Sequence, residues 1–381
     1  MNYKNTRYLL NKRPIGMPED DCWAIDEEVI TTLENNEILI KVDYLSIDPY
    51  MRGRMNDGMS YAAPVKVGEV MVGESVGKVV ESKSNKYKVG DLVTVHKGWQ
   101  THIKAKDSEA TILKVPDSDL PSSVFLGTLG MPGRTAFYGL NRVGMPKAGE
   151  TLVVSAASGA VGSVVGQLGK LAGCHVVGVA GGPEKSEYVR NSLKFDHCID
   201  YKNDNVLELL KEYCPNGIDI YFENVGGELT KNVAQLLNKG ARVPVCGFIS
   251  KYNSKDIRSE ETPFHVLGAL KPKPKHRFFV VTEWMNEFEK TTSVLHEHVR
   301  NGDIKYRETV SDGKLLTFSD DVHCLEGDNP PKGRLVVMEF PSQEHVEAWW
   351  ADEDYQAASN IRREYSVTNF IARLDELPPR N

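Results

Sequence analysis

Val153–Gly166 reads VVSAASGAVGSVVG, and this stretch decides the fold. An apolar run, LVVSAA, meets a turn of small residues, SGAVG. Apolar positions then recur at helical spacing: Val161, Val164, Val165, Leu168 and Leu171. Strand, tight turn and helix together present backbone N–H groups and a helix N-terminus to a pyrophosphate. The dinucleotide fingerprint asks for G-x-G-x-x-G. The corresponding window here is Ala157-Ser-Gly159-Ala-Val-Gly162, with alanine in the first glycine position. Alone, such a turn is weak evidence, because a purely structural strand–helix turn uses the same residues. Its setting within a run of alternating strands and helices strengthens the dinucleotide reading.

Downstream, apolar runs at 152–157, 175–181, 197–201, 218–226, 241–248 and 278–284 read as strands. Segments 161–172, 184–193, 204–213 and 227–238 between them carry helical periodicity. This alternation predicts an α/β domain with a parallel sheet and right-handed crossovers. The end of the second strand selects the cofactor. An NAD site places an acid there to hold the ribose hydroxyls, whereas this chain reads Val179-Ala-Gly-Gly182. Lys185 follows within one turn and offers a positive charge to a 2′-phosphate. Tyr201, at the end of the next strand, offers a hydroxyl, and NADP is the expected cofactor. Glu184, beside Lys185, complicates this expectation unless helical geometry turns it away. Lys185 could equally be an ordinary exposed helix lysine.

Upstream, residues 1–127 are short β-branched runs separated by Gly, Asn and Asp turns, as in a compact β-barrel-like domain. The segment DPYMRGRMNDGMSY (48–61) is either a solvated connector or a wall of a binding cleft. Pro132 and Gly133 open a helix, which places a domain boundary near Gly127. Further on, KPKPKHR (271–277) reads as a solvated loop and 285–301 as a helix. IKYRETVSDG is expected to be a strand and turn, Leu315–Leu325 a helix, and GRLVVMEF (333–340) a strand returning to the β-rich domain. Residues 341–381 carry Trp349 and Trp350, too apolar for a free tail.

The chain has 381 residues, 40% of them hydrophobic and 26% charged, which suits a soluble protein with more than one core. A net charge of −7 argues against a general nucleic-acid binder. The first residues lack the apolar core of a signal peptide, and no apolar stretch is long enough to span a bilayer. Six scattered cysteines without a C-x-x-C pair suggest a reduced, cytoplasmic protein. A metal site is not expected. Gly73-Glu74 lacks the histidine of the Gly-His-Glu found in zinc alcohol dehydrogenases, and no four-cysteine loop is present. The ten histidines have no ligand spacing and read mostly as surface or loop residues. Without zinc, alcohol oxidation loses its Lewis acid. The expected chemistry is therefore a hydride transfer that needs only proton donors.

These residues resemble the zinc-independent medium-chain dehydrogenase/reductases. The similarity is to the branch of leukotriene B4 dehydrogenase/prostaglandin reductases, plant alkenal double-bond reductases and bacterial NADPH-dependent curcumin reductases. The motifs that carry it are DPYMRGRM (48–55), LGMPGRTAFYGL (129–140), AASGAVGSVVGQ (156–167), VVGVAGGPEK (176–185), DYK (200–202), FENVGG (222–227), CGFISKYN (246–253) and IKYRE (304–308). They occur in family order between about residues 40 and 340, and the GGPEK form is most similar to the curcumin-reductase branch.

The resemblance implies a GroES-like catalytic domain at 1–127 and 308–340, a Rossmann NADP-binding domain at 128–307, and an α+β extension at 341–381. It implies NADPH contacts from Ala157, Gly159, Val161, Gly162, Gly182, Lys185, Tyr201, Asn224, Cys246, Gly247, Ile249 and Tyr252. Phe279 and Val280 would line the nicotinamide pocket, with Asn329 near the nicotinamide. Tyr50, Tyr61 and Tyr252 would be the catalytic candidates, and a homodimer is common in the family. Two departures, Arg134 after MPG and the proline-rich KPKPKHR, bear on the substrate entrance. The run RLVVMEFPSQEHVEAWWADEDYQAASNIRR is similar to the second half of a small bacterial ferredoxin-like family of unknown function. Half a fold cannot close its own sheet, so this tail is expected to pack on the parent body or on a second subunit.

The implied reaction is hydride transfer to the β-carbon of an α,β-unsaturated ketone or aldehyde. The enolate is then stabilised by a hydroxyl, from Tyr252 or the nicotinamide ribose, and protonated from solvent or a tyrosine. Tyr50 and Tyr61 could instead be apolar cleft lining, and Tyr252 a pure cofactor contact. Two other functions are compatible with the motifs: an NADPH-dependent quinone oxidoreductase and a non-catalytic NADPH-binding sensor.

Overall fold

Alternating apolar residues in short runs make the first hundred residues a set of antiparallel strands. The computed structural model describes residues 2–57, 61–256, 259–308, 314–319 and 335–339. Strands β1 (Tyr3–Leu10) and β2 (Trp23–Ile30) pair with each other. Next come β3 (Glu37–Leu45), the one-turn helix α1 (Tyr50–Arg54), β4 (Ser75–Ser82), β5 (Leu92–Val95), β6 (His102–Lys106) and β7 (Leu113–Lys114). These five strands form a sheet of order β6-β3-β4-β5-β7, with every pair antiparallel. Its inward face buries Ile38, Ile40, Val79, Val93, Val95 and Ile103. The Met-, Arg- and Tyr-rich segment is therefore not wholly loop, since its first half winds into α1 and buries Met51.

Gly130 caps α2 (Met131–Tyr138), with Pro132 in its first turn as expected. The alternating region follows: β8 (Thr151–Ser155), α3 (Gly162–Leu171), β9 (His175–Ala180), α4 (Pro183–Glu187), β10 (His197–Asp200), α5 (Val206–Tyr213), β11 (Ile218–Phe222), α6 (Glu228–Ala234), β12 (Leu237–Val245), α7 (Pro263–Ala269), β13 (Lys275–Phe278) and α8 (Phe288–Arg300). The six strands form a parallel sheet of order β10-β9-β8-β11-β12-β13. In this order the chain starts at the centre with β8, runs outward to β10, and then returns to β11 on the other side of β8. The carboxyl ends of β8 and β11 flank the point of reversal, where open α/β sheets bind nucleotides. Every residue of β8 is buried, as a central parallel strand covered on both faces requires.

Several boundaries differ from the sequence expectation. The last strand is 275–278 rather than 278–284, so the end of KPKPKHR joins the sheet edge beside β12. Phe279 and Val281 leave the ladder and become buried instead. The Glu283 side chain accepts from the Val280 N–H and turns 281–287 into a 3-10 helix. Helix α6 stops at Ala234, because Leu237 is already in register with Ile218 on β11. Ile304 is buried, but the main chain after it pairs with the Gln167 side chain rather than with a strand. Gln167 Nε2 donates to the Lys305 carbonyl and Gln167 Oε1 accepts from the Lys305 N–H.

The chain divides into two compact units, Met1–Glu308 and Thr309–Asn381. In the second unit, β14 (Lys314–Ser319) pairs antiparallel with β15 (Leu335–Glu339). Residues 315–319, expected as the start of a helix, are thus a strand. The apolar, β-favouring run KLLTFS finds a partner in LVVME, and pairing overrides its helical reading. The described partner of β15 is β14. Residues 341–381 lie outside the described residues.

Candidate active site

The turn after β8 has the geometry its small residues promised. Ala156 takes a left-handed backbone, φ 50°, which sharpens the exit from the strand. Gly162 opens α3, and a Cβ there would stand 2.2 Å from the Ala156 carbonyl oxygen. Helix and strand can therefore approach this closely only through glycine. Gly178 on β9 has a related role, since a Cβ there would meet the Ala157 methyl at 2.8 Å. Ala157 itself is fully buried, so the alanine in the first glycine position is a packing residue.

The end of β9 gathers the three residues assigned to a 2′-phosphate. Gly182 caps α4 with φ 95°, and a Cβ there would meet nothing within 4 Å. Lys185 is exposed on the first turn of α4. The Tyr201 ring lies over Gly181, where a Cβ would come within 2.7 Å of it. Glu184 is paired with Arg307 at 3.0 Å and so has a partner other than Lys185. The Asp200 carboxylate is occupied by the Gly182 and Lys202 N–H groups and the Asn203 side chain. Those hydrogen bonds, the one from Gly182 foremost, hold its pKa below the usual carboxylate range. Open space beside a lysine, a tyrosine hydroxyl and a left-handed glycine suits a phosphate, and the residues present fit an NADPH adenosine end.

At the reversal point one buried carboxylate organises the turn after β11. Glu223 is fully buried and accepts from the Tyr221 hydroxyl at 2.9 Å and from the Val225 and Gly226 N–H groups at 2.8 and 3.0 Å. Thr230 Oγ1 donates to its other oxygen. Asn224 is fixed on β8: its N–H donates to Ser155 Oγ and its side-chain amide to the Ser155 carbonyl, both at 2.7 Å. The Cys246 and Gly247 N–H groups donate to the Glu223 carbonyl. The sequence reading assigned no role to Glu223. A largely apolar strand running straight into an acid, IDIYFE, was the available signal.

The segment Cys246–Tyr252 folds back on this turn through hydrogen bonds from Ile249 to Asn224 and from Ser250 to Val225. The Tyr252 hydroxyl sits over Gly247, where a Cβ would come within 2.6 Å of it. Phe248 packs edge-on against the Tyr252 ring. Burial pushes the Tyr252 hydroxyl up to about 12 and the Cys246 thiol up to about 12. Tyr61, 50% exposed, packs against Phe278, and its hydroxyl is raised mainly by burial. Arg52 Nε donates to Asn253 Oδ1 at 3.1 Å, so α1, which carries Tyr50, borders the segment that carries Tyr252. All three tyrosine hydroxyls remain protonated at neutral pH and can act as donors.

Other assigned residues fall differently. The Phe279 ring is buried among Phe222, Trp284 and Gly139, so its side chain belongs to the core. Val280 is half-buried and Ile249 44% exposed. Arg134 is buried, with Nη2 donating to Glu74 at 3.1 Å and its guanidinium 4.6 Å from the centre of the Phe288 ring. Burial raises the Glu74 carboxyl against the opposing effect of Arg134. Asn329 lies outside the described residues. The reading also missed His96, whose Nε2 is 2.8 Å from Tyr50 Oη. The two are 46 residues apart in the chain, and nothing in the spacing links them. Among the described residues, no group of three or more His, Cys, Asp or Glu side chains is placed to hold a metal ion, and no helix is long and apolar enough to cross a membrane.

Residues 6–113 match the family model for the N-terminal domain of oxidoreductases, and 160–283 match that for zinc-binding dehydrogenases. Residues 306–372 match a domain of unknown function (DUF1330), which takes in Asn329 and the 308–340 stretch. The chain is 42% identical over 340 residues to the NADPH-dependent curcumin reductase of Escherichia coli, covering 88% of this chain and 96% of that protein. It is 37% identical over 340 residues to a tobacco NADP(+)-dependent 2-alkenal reductase, covering 88% and 97%. The crystal structure of CurA from Vibrio vulnificus in complex with NADPH superposes with a TM-score of 0.74 at 42% identity, covering 80% of this chain and 90% of that one.

Proposed function

The chain belongs to the medium-chain dehydrogenase/reductases, in the branch of curcumin, prostaglandin and alkenal reductases, and from this premise we propose that it reduces the carbon–carbon double bond of α,β-unsaturated ketones and aldehydes with NADPH. The observation that carries the proposal is the 42% identity to curcumin reductase across 96% of that protein's length. NADPH, when bound, supplies the hydride that goes to the β-carbon and leaves an enolate on the substrate. The turn at Ala157–Gly162 and the N-terminus of α3 hold the pyrophosphate, with Val161 as the helix N-cap. Gly182, Lys185 and Tyr201 take the 2′-phosphate. Asn224, Cys246, Gly247 and Ile249 frame the nicotinamide side, joined by the main chain at Phe279 and Val280.

Tyr252 is the residue we assign to the enolate oxygen. A hydroxyl fixed over Gly247 and kept protonated is a donor in place before charge develops. Tyr50 and Tyr61 line the same cleft. A cytoplasmic homodimer is the expected form, with a small enone or alkenal as its substrate. Following NADPH absorbance with an enone and, in parallel, a quinone tests the assignment. Turnover of the enone is expected. Turnover of the quinone alone would replace the reading with quinone reduction, and turnover of neither would favour an NADPH-binding sensor.

A further inference from the structure

We propose that Tyr50 and His96 form a two-residue proton relay: Tyr50 gives its hydroxyl proton to the α-carbon of the enolate, and His96 replaces it. The inference rests on the double-bond reduction proposed above and names how its second half is completed.

The geometry is specific. Tyr50 is the first residue of α1 and His96 follows the last residue of β5. Tyr50 Oη and His96 Nε2 are 2.8 Å apart, with the rings inclined by 28°. Both side chains are half-buried. The groups acting on Tyr50 are the carboxylates of Asp48 and Glu74, the Tyr61 hydroxyl and the Arg54 guanidinium. Arg54 also acts on His96. Asp48 has one carboxylate oxygen, Oδ2, buried without a hydrogen-bond partner. The Arg54 guanidinium disfavours a cationic imidazole at His96, and the Asp48 carboxylate disfavours ionisation of Tyr50. Arg52, on the same helix as Tyr50, donates to Asn253 Oδ1 at 3.1 Å, so the pair stands beside the segment that carries Tyr252.

The step balances as follows. Hydride delivery to the β-carbon leaves the former double-bond pair on the enolate. That pair forms the new C–H bond at the α-carbon as the Tyr50 O–H bond breaks. The Tyr50 oxygen takes the Nε2 proton of the imidazolium, and the neutral imidazole is reprotonated from solvent. Neutral His96 with Nε2 unprotonated can only accept, which turns the Tyr50 proton away from substrate. The His96 pKa is lowered from its ordinary value, mainly by burial. The acid form is the donor, so protonation of the enolate slows as pH rises through this lowered value.

The test uses the full-length enzyme with NADPH and benzylideneacetone, in water and in deuterium oxide, across the pH range in which histidine titrates. His96→Phe is expected to lower kcat about tenfold or more with little change in KM, to abolish the alkaline fall in kcat, and to enlarge the solvent isotope effect. Tyr50→Phe and the double variant are expected to be equally slow, as members of one relay. In the cofactor-free protein, the NMR titration of His96 is expected to shift on Tyr50→Phe. A wild-type pH profile and isotope effect in His96→Phe would overturn the relay, as would losses that multiply in the double variant or an unmoved titration. Absence of enone turnover in the wild-type enzyme would instead overturn the reaction on which the relay rests.

Discussion

Gly162, Lys185 and Tyr252 each carry a separate part of the proposed function, and each can be tested alone. A side chain at Gly162 would begin 2.2 Å from the Ala156 carbonyl, so Gly162→Val must push α3 away from β8. We expect NADPH affinity to fall at least about tenfold, read by quenching or transfer of nicotinamide fluorescence; about 1.4 kcal/mol is enough for that change. Lys185 faces open space beside Gly182. Lys185→Ala should weaken NADPH by roughly tenfold and leave NADH almost unchanged, since one charge-assisted hydrogen bond is worth about 1.5–3 kcal/mol. Equal weakening of both would remove Lys185 from the phosphate site. For Tyr252→Phe, the expected result is a fall in kcat of about a hundredfold, the cost of one oxyanion donor, with a modest change in NADPH affinity. Unchanged turnover would leave Tyr252 as a packing residue over Gly247.

Between elements, a buried charge pair sets the β-rich sheet against the nucleotide domain. The Arg134–Glu74 pair joins α2 to the segment before β4, and both side chains are less than a tenth exposed. Breaking such a pair costs about 3–5 kcal/mol because the remaining charge is buried alone, whereas replacing both partners can be nearly neutral. Arg134→Leu is therefore expected to lower the unfolding midpoint sharply, and Arg134→Leu with Glu74→Leu to recover much of the loss. If the double variant is as unstable as the sum of the singles, the pair is not the reason for the arginine.

Asp48, before α1, gives a pH signature. Burial, with Glu74 nearby, raises its carboxyl from 3.8 to about 6. Between these values the folded chain binds the proton more tightly than the unfolded chain does. Its contribution to stability is thus full below 3.8 and is lost as pH rises to about 6. Asp48→Asn should remove that slope and stabilise the protein above pH ~6, as measured by denaturant unfolding at a series of pH values.

For the whole molecule, Met1–Glu308 and Thr309–Asn381 form separate units, and the second carries the match to a domain of unknown function from residue 306 to 372. The two tryptophans, Trp349 and Trp350, argue from the sequence that residues 341–381 need a partner surface. Truncation after Phe340 is expected to reduce solubility or change the oligomeric state seen by light scattering. A truncated chain that matches the full one in both would show the extension to be dispensable for packing.

Local chemistry determined much of this protein before any tertiary contact was considered. Gly159, Gly162 and the apolar periods around them dictated the strand, turn and helix, because backbone freedom and hydrophobic spacing act within a few residues. The missing acid at Gly181-Gly182 and the lysine that follows pointed to the phosphate-bearing cofactor for the same reason. The sheet edge was not legible. KHRF pairs with β12 while the more apolar Phe279, Val280 and Val281 leave the sheet, because the register of a parallel edge is set by a distant strand, Arg242–Val245. KLLTFS likewise became a strand through its pairing with LVVME. Glu223, the Arg134–Glu74 pair and the Tyr50–His96 contact also depend on the tertiary structure. Each depends on groups that the folded backbone brings within hydrogen-bond reach, and no local spacing in the chain encodes such an approach.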